Sequence, residues 1–113
     1  MREFDHIGLI TEVKRPDEMW VEATRVWVTD PAASPEMVEY LRFEPDTPCS
    51  GPIREKPHAA FRVEDLEKEI EGEDVILGPF DANENLRVVF IYKEGLVYEF
   101  MQSKVGKDWH KAG

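Results

Sequence analysis

The sequence holds a single cysteine, Cys49, no basic stripe, and no unbroken apolar run longer than Val88–Tyr92. Each shortage closes off a class. One cysteine allows neither an internal disulfide nor a thiolate metal cluster, which fits a reducing compartment and a cytoplasmic location. A run of five apolar residues falls far short of the ~20 that a membrane-spanning helix needs. The opening Met1-Arg2-Glu3-Phe4-Asp5 alternates charge and lacks the apolar centre of a secretory signal. Against 24 Asp and Glu stand 14 Lys and Arg, a net charge of −10, whereas affinity for a phosphate backbone comes from clustered cations. Neither nucleic acid nor a membrane is therefore expected as a partner. There is no P-loop, no GxGxxG and no nucleophile elbow. What is present is a chain of 113 residues, 42% of them hydrophobic, enough for one folded domain with a core.

β-branched and aromatic residues gather in short runs bounded by Pro, Gly and Asp, so the chain reads as strands with one helix. Strands are expected at Phe4–Ile10, Val21–Thr29, Met37–Phe43, His58–Val63, Asp74–Phe80, Leu86–Tyr92 and Leu96–Gln102. Pro16 makes a loop of Lys14–Asp17, and Asp30–Glu36 turns the chain around two prolines. Glu64–Glu71 sets Leu66 and Ile70 on one helical face, with Gly72 as the stop. Glu44–Pro57 carries four prolines and no apolar period, and reads as a linker. Lys93-Glu94-Gly95 reads as a three-residue hairpin loop. The polar tail from Ser103 is expected to fray, with Trp109 able to dock it.

The two halves repeat one another. Val38-Glu39-Tyr40-Leu41 and Tyr98-Glu99-Phe100-Met101 both run apolar–Glu–aromatic–aliphatic, and each half opens on a strand with a histidine, His6 or His58. The His-to-Glu spacing is 33 residues in the first half and 41 in the second. A helix after the first strand of the second half accounts for the difference, because the first half has only Pro16 and a loop there. The expected fold is α+β, built from two βαβββ-type modules. The first (about 1–46) lacks or shortens its helix; a linker (about 47–56), the second module (about 57–103) and a tail (104–113) follow.

In order and paired placement, DHIGLIT, PHAAFRVEDLEKEI and VYEFMQ resemble the vicinal oxygen chelate superfamily. That superfamily holds glyoxalase I, methylmalonyl-CoA epimerase, extradiol dioxygenases and bleomycin- or fosfomycin-resistance proteins. The resemblance spans nearly the whole chain. It implies curved mixed sheets around a cleft with a divalent metal at its floor, one ligand coming from the first and one from the last strand of each module. The matching positions are His6, Glu39, His58 and Glu99. Their chemistry suits that role: two imidazoles and two carboxylates make a borderline-hard site for Ni²⁺, Co²⁺, Zn²⁺, Mn²⁺ or Fe²⁺. Strand parity puts Glu99 between Val97 and Met101 on one face, where a carboxylate is costly unless paired or metal-bound.

Plainer alternatives exist for these residues. The histidines could be ordinary strand residues, and Glu39 could pair with Arg42 or Arg25 on a sheet surface. His110 is a further candidate ligand, although a tail histidine is normally solvated. Arg25, Arg42 and Arg54 either meet an anionic substrate or pair with the abundant Glu. Cys49 has no basic neighbour in sequence to make it a nucleophile. The His–Glu–His–Glu set most resembles bacterial-type glyoxalase I. It implies a metal-dependent lyase or isomerase acting on a small oxygen-bearing substrate through an enediolate or enolate, with Glu99 shuttling the proton. The alternative is a non-catalytic small-molecule-binding module of the resistance type. A homodimer is expected, because the contracted first half leaves a wall incomplete. Metal ligation should fade as pH falls through the imidazole range near ~6.5.

Overall fold

The β-prone runs become strands in the computed structural model, which describes residues 2–104. They are β1 (Glu3–Ile10), β2 (Met19–Val21), β3 (Val26–Val28), β4 (Val38–Phe43), β5 (His58–Arg62), β6 (Asp74–Asn83), β7 (Leu86–Lys93) and β8 (Leu96–Ser103). Two single-turn helices, α1 (Pro52–Glu55) and α2 (Leu66–Glu69), complete the regular structure, with a 3₁₀ turn at Pro31–Ala33. All eight strands join one mixed sheet in the order β2-β3-β4-β1-β5-β8-β7-β6, curled into a half-barrel. The fold is thus mostly β. Among the described residues no helix is long and apolar enough to cross a membrane.

The sheet has the same pairing on both sides of its central seam. β1 and β5 run antiparallel there; β1 pairs in parallel with β4, and β5 in parallel with β8. Antiparallel hairpins finish each side, β2–β3 beside β4 and β6–β7 beside β8. Along β7 and β8 side chains alternate between the faces. Val88, Phe90, Val97 and Met101 form one core with Cys49 and Ile53. Val89, Ile91 and Phe100 form another on the opposite face, covered by Leu66 of α2.

Several local expectations change. Val21–Thr29 is not one strand, because the chain folds back at Glu22–Arg25 and sets Trp20 opposite Trp27. Arg25 closes this turn with φ of 49°, donating its backbone N–H to the Glu22 carbonyl at 3.2 Å. No Gly, Pro or Asn marks the turn, and its flanks are strongly β-prone, so local composition hides it. The helix expected over Glu64–Glu71 shrinks to one turn, capped where the Asp65 carboxylate accepts from Lys68 N. The presumed linker contains α1, started by Pro52 at its first turn, and it sends Cys49 and Ile53 into the core. Lys93 and Leu96 pair directly, so the hairpin loop is the two residues Glu94-Gly95, both at positive φ. The tail readings for Trp109 and His110 lie outside the described residues.

Candidate metal centre

Two neighbouring rows across the middle of the sheet carry the four candidate ligands. One row runs Glu39 (β4), Gly8 (β1), His58 (β5); the next runs His6 (β1), Ala60 (β5), Glu99 (β8). Large side chains therefore alternate with Gly8 and Ala60, and the small residues leave room for the imidazoles. The fit at Gly8 is tight: a Cβ there would lie 2.1 Å from His58 Cε1. All four ligands belong to one chain, so the cluster needs no second copy to assemble.

The strands deliver these side chains to one point. His58 Nε2 is 3.1 Å from Glu99 Oε1 and 3.7 Å from Glu39 Oε1. His6 Nε2 is 3.4 Å from Glu39 Oε1 and 3.5 Å from Glu99 Oε1. The rings meet edge to face at 5.5 Å, and His58 meets Phe90 in the same way. His6, His58 and Glu99 are buried, and Glu39 is partly open.

His6 is aimed by a feature of β1. The register with β5 slips between Phe4 and His6, and at this bulge both Asp5 and His6 are buried. His6 Nδ1 lies 2.7 Å from Asp5 Oδ2, and Arg62 Nε approaches Asp5 Oδ1 at 3.4 Å. A proton held on Nδ1 by Asp5 turns Nε2 toward the cluster. Burial works against a charged His6 ring, yet Asp5, Glu39 and Glu99 outweigh it and the pKa is pushed up to about 12. Burial likewise works against an ionised Glu99, but His58 and His6 hold its carboxyl down at about 2.

The arrangement fits a divalent metal. One ligand atom from each of His6, Glu39, His58 and Glu99 can be chosen so that all lie within 4.8 Å of one another. Among the described residues neither Nε2 has a hydrogen-bond partner of good geometry, even with carboxylate oxygens this close. Buried nitrogens without a bond, facing two carboxylates, are what a cation at that point would satisfy. The cluster could bind a divalent metal on this geometry.

The surface alternative for Glu39 does not occur. Arg42 makes a two-pronged contact with Glu18 at 2.9 and 2.7 Å, and Arg25 pairs with Asp46 at 2.8 Å. Arg54 lies over the Phe43 ring. Three contributors escaped the sequence reading: Asp5, Gly8 and Ala60. A legible signal for the last two is the small residue two places after each histidine, in His6-Ile7-Gly8 and His58-Ala59-Ala60. Asp5 carried no such signal, because in a regular strand it would point away from His6.

A cavity of about 140 Å³ opens beside the cluster. Val26 and Leu41 wall it on one side and Val88 and Phe90 on the other; Ile53 and Cys49 join them from the segment between the halves. His6, Glu39 and Glu99 face into it.

No family model matches the sequence, and no curated protein does. Among solved structures, the chain is similar to the hypothetical protein BH1468 from Bacillus halodurans C-125, with 18% identity and a TM-score of 0.65. The match covers 95% of this chain and 98% of that one. At this identity the likeness shows the fold alone. A curled mixed half-barrel sheet carrying a His/Glu cluster is consistent with a vicinal-oxygen-chelate-like fold.

Proposed function

We propose that the protein is a metal-dependent lyase or isomerase of the vicinal-oxygen-chelate type, acting on a small oxygen-bearing substrate. The observation that supports it best is the convergence of two imidazoles and two carboxylates, from four different strands, on the floor of an apolar cavity. A divalent cation would be held by His6, Glu39, His58 and Glu99, and it would supply Lewis-acid polarisation of the substrate oxygens. Asp5 fixes the direction of His6 through Nδ1. The largely apolar walls lower the local dielectric, which strengthens electrostatic interactions at the floor. In this reading Glu99, anionic and facing the cavity, takes a proton from the carbon next to a substrate carbonyl and returns it at the adjacent position; its exposure to the cavity supports that role. We further propose that the protein works as a homodimer.

Thermal melts of protein purified without chelator test this reading. Binding confined to the folded state stabilises by about 2.7 kcal/mol when free metal is 100 times Kd. For a domain near 100 residues that raises Tm by roughly 10 °C or more. Ni²⁺, Co²⁺, Zn²⁺ or Mn²⁺ at pH 8 should produce this rise. Gly8→Ala should abolish it by pushing His58 aside, and Glu99→Gln should weaken it and end turnover. No metal-dependent rise with any of the four ions overturns the metalloenzyme reading. A rise without turnover of any carbonyl substrate leaves a non-catalytic binding module instead.

A further inference from the structure

The cavity beside the quartet specifies the body of its ligand as well as the oxygens that meet the cluster. Its lining is aliphatic and aromatic on both sides. Among the described residues no Lys or Arg lines it, and the charges facing into it come from carboxylates, apart from the His6 ring. Besides Thr24, three polar side chains in the wall each accept a hydrogen bond from backbone. Thr29 Oγ1 accepts from Tyr40 N, Asn83 Oδ1 from Asn85 N, and Asp30 Oδ1 from Ala32 N. The thiol of Cys49 is pushed up by burial, so it stays an uncharged part of the wall. Of the three arginines considered for an anion, Arg42 is committed to Glu18 and Arg25 to Asp46, while Arg54 lies over the ring of the lining residue Phe43 and is not itself part of the wall.

Size narrows the class further. The volume is about 140 Å³, close to the ~150 Å³ of an engineered apolar cavity that takes up benzene. We propose that the ligand is a small compound, about one six-membered ring in size, whose uncharged apolar body fills this cavity. Beyond the two oxygens facing the quartet it carries no carboxylate, phosphate or peptide group. The oxygen pair rests on the metal reading above; the apolar body rests on the cavity alone.

Three hydroxamates, each presenting two adjacent oxygens, test the proposal by calorimetry on the Zn²⁺-loaded protein. Benzohydroxamate should bind at least about tenfold more tightly than acetohydroxamate, since even one methylene in an apolar pocket is worth that much. 4-Carboxybenzohydroxamate should lose at least tenfold relative to benzohydroxamate. Met19→Arg, a substitution at a cavity-lining residue that is 41% exposed, should recover part of that loss. Equal affinity for the acetyl and benzoyl probes, or a carboxylated probe that binds as well as its parent, overturns the proposal. A parallel ¹⁹F NMR titration of metal-free protein with fluorobenzene separates this idea from the metal reading. Fluorobenzene binding without Zn²⁺ binding leaves the apolar ligand standing and removes the metal. Absence of fluorobenzene binding removes the apolar ligand whatever the metal does.

Discussion

The two halves of the sheet share a pairing scheme and a ligand pattern, yet they are held in different ways. On the face bearing the cluster they match: a histidine two residues before Gly8 or Ala60, and a glutamate on the neighbouring parallel strand. On the opposite face they diverge. In the second half α2 covers the sheet, packing Leu66 on Val89, Ile91 and Phe100. In the first half the β1–β2 connection does the covering. It sets Arg15 over the Tyr40 ring at 3.8 Å and Glu18 against Arg42, while Arg42 also lies over Trp27 and Arg25 over Trp20. Among the described residues, the buried apolar side chains of β1–β4 and their connections are Val26, Leu41 and Pro31, far fewer than in the second half. The two faces therefore answer to different demands. The cluster face must keep its register to bring four side chains together, whereas the outer face needs only some cover, and partly buried cation–π and ion pairs provide it.

This contrast predicts unequal costs for deleting an aromatic ring. Phe100 is fully buried, and truncating such a residue costs about 3–5 kcal/mol. Trp27 is half-buried, tilted against Trp20 at 4.8 Å and donating Nε1–H to Glu44 at 2.8 Å. Phe100→Ala should therefore lose about 3–5 kcal/mol in urea denaturation, and Trp27→Ala less than about half of that. Equal losses would mean that both halves lean on buried packing alike, and the comparison would break.

The cluster face was far more legible than the outer one. Histidine and glutamate at repeated places are visible in the sequence because chemistry needs those residue types and strand parity fixes their side. The structure brings His6, Glu39, His58 and Glu99 together accordingly. The outer face of the first half carries no comparable signal, since Arg15 meets Tyr40, and Glu18 meets Arg42, only through tertiary contacts between a loop and a strand. The bulge at Asp5 was hidden for a related reason: an extra residue in one strand shows only against its partner's register. The β2–β3 turn was hidden because Arg25 takes a left-handed conformation without the glycine that usually marks one.

Titration separates the halves through one residue of each. His6 of the first half has a raised pKa, so its proton stabilises the ion-free fold fully below the ordinary value of 6.5. That contribution drains away as pH climbs toward about 12. Glu99 of the second half has a lowered pKa, so its contribution is full above 4.5 and is lost as pH falls toward about 2. Chelator-treated protein should then be most stable between pH 4.5 and 6.5 as far as these two groups decide it. Each limb falls by at most about 1.4 kcal/mol per pH unit. Urea midpoints across pH check this, with Glu99→Gln flattening the acid limb and His6→Gln the alkaline one. Since a metal must displace the His6 proton, its stabilising effect should keep growing well above neutrality. It should not level off near 6.5, as an unperturbed imidazole would have it.

The smallest effect tests whether the strap over the first half is separate from the site. Tyr40 stands beside Glu39 on β4, and alternation sends the two side chains to opposite faces. Arg15 meets Tyr40 on the outer face, away from the ligands, and a cation–π contact at a partly exposed site is worth about 0.5–1 kcal/mol. Arg15→Ala should cost that much in urea denaturation and leave the metal-induced rise in Tm unchanged, because the register of Glu39 with Gly8 is set by backbone hydrogen bonds between β1 and β4. A weakened metal response in this variant would show that the loop reaches through the sheet and holds Glu39 in place. The two faces of the first half would then be one unit, and the division drawn between them would hold only for the second half.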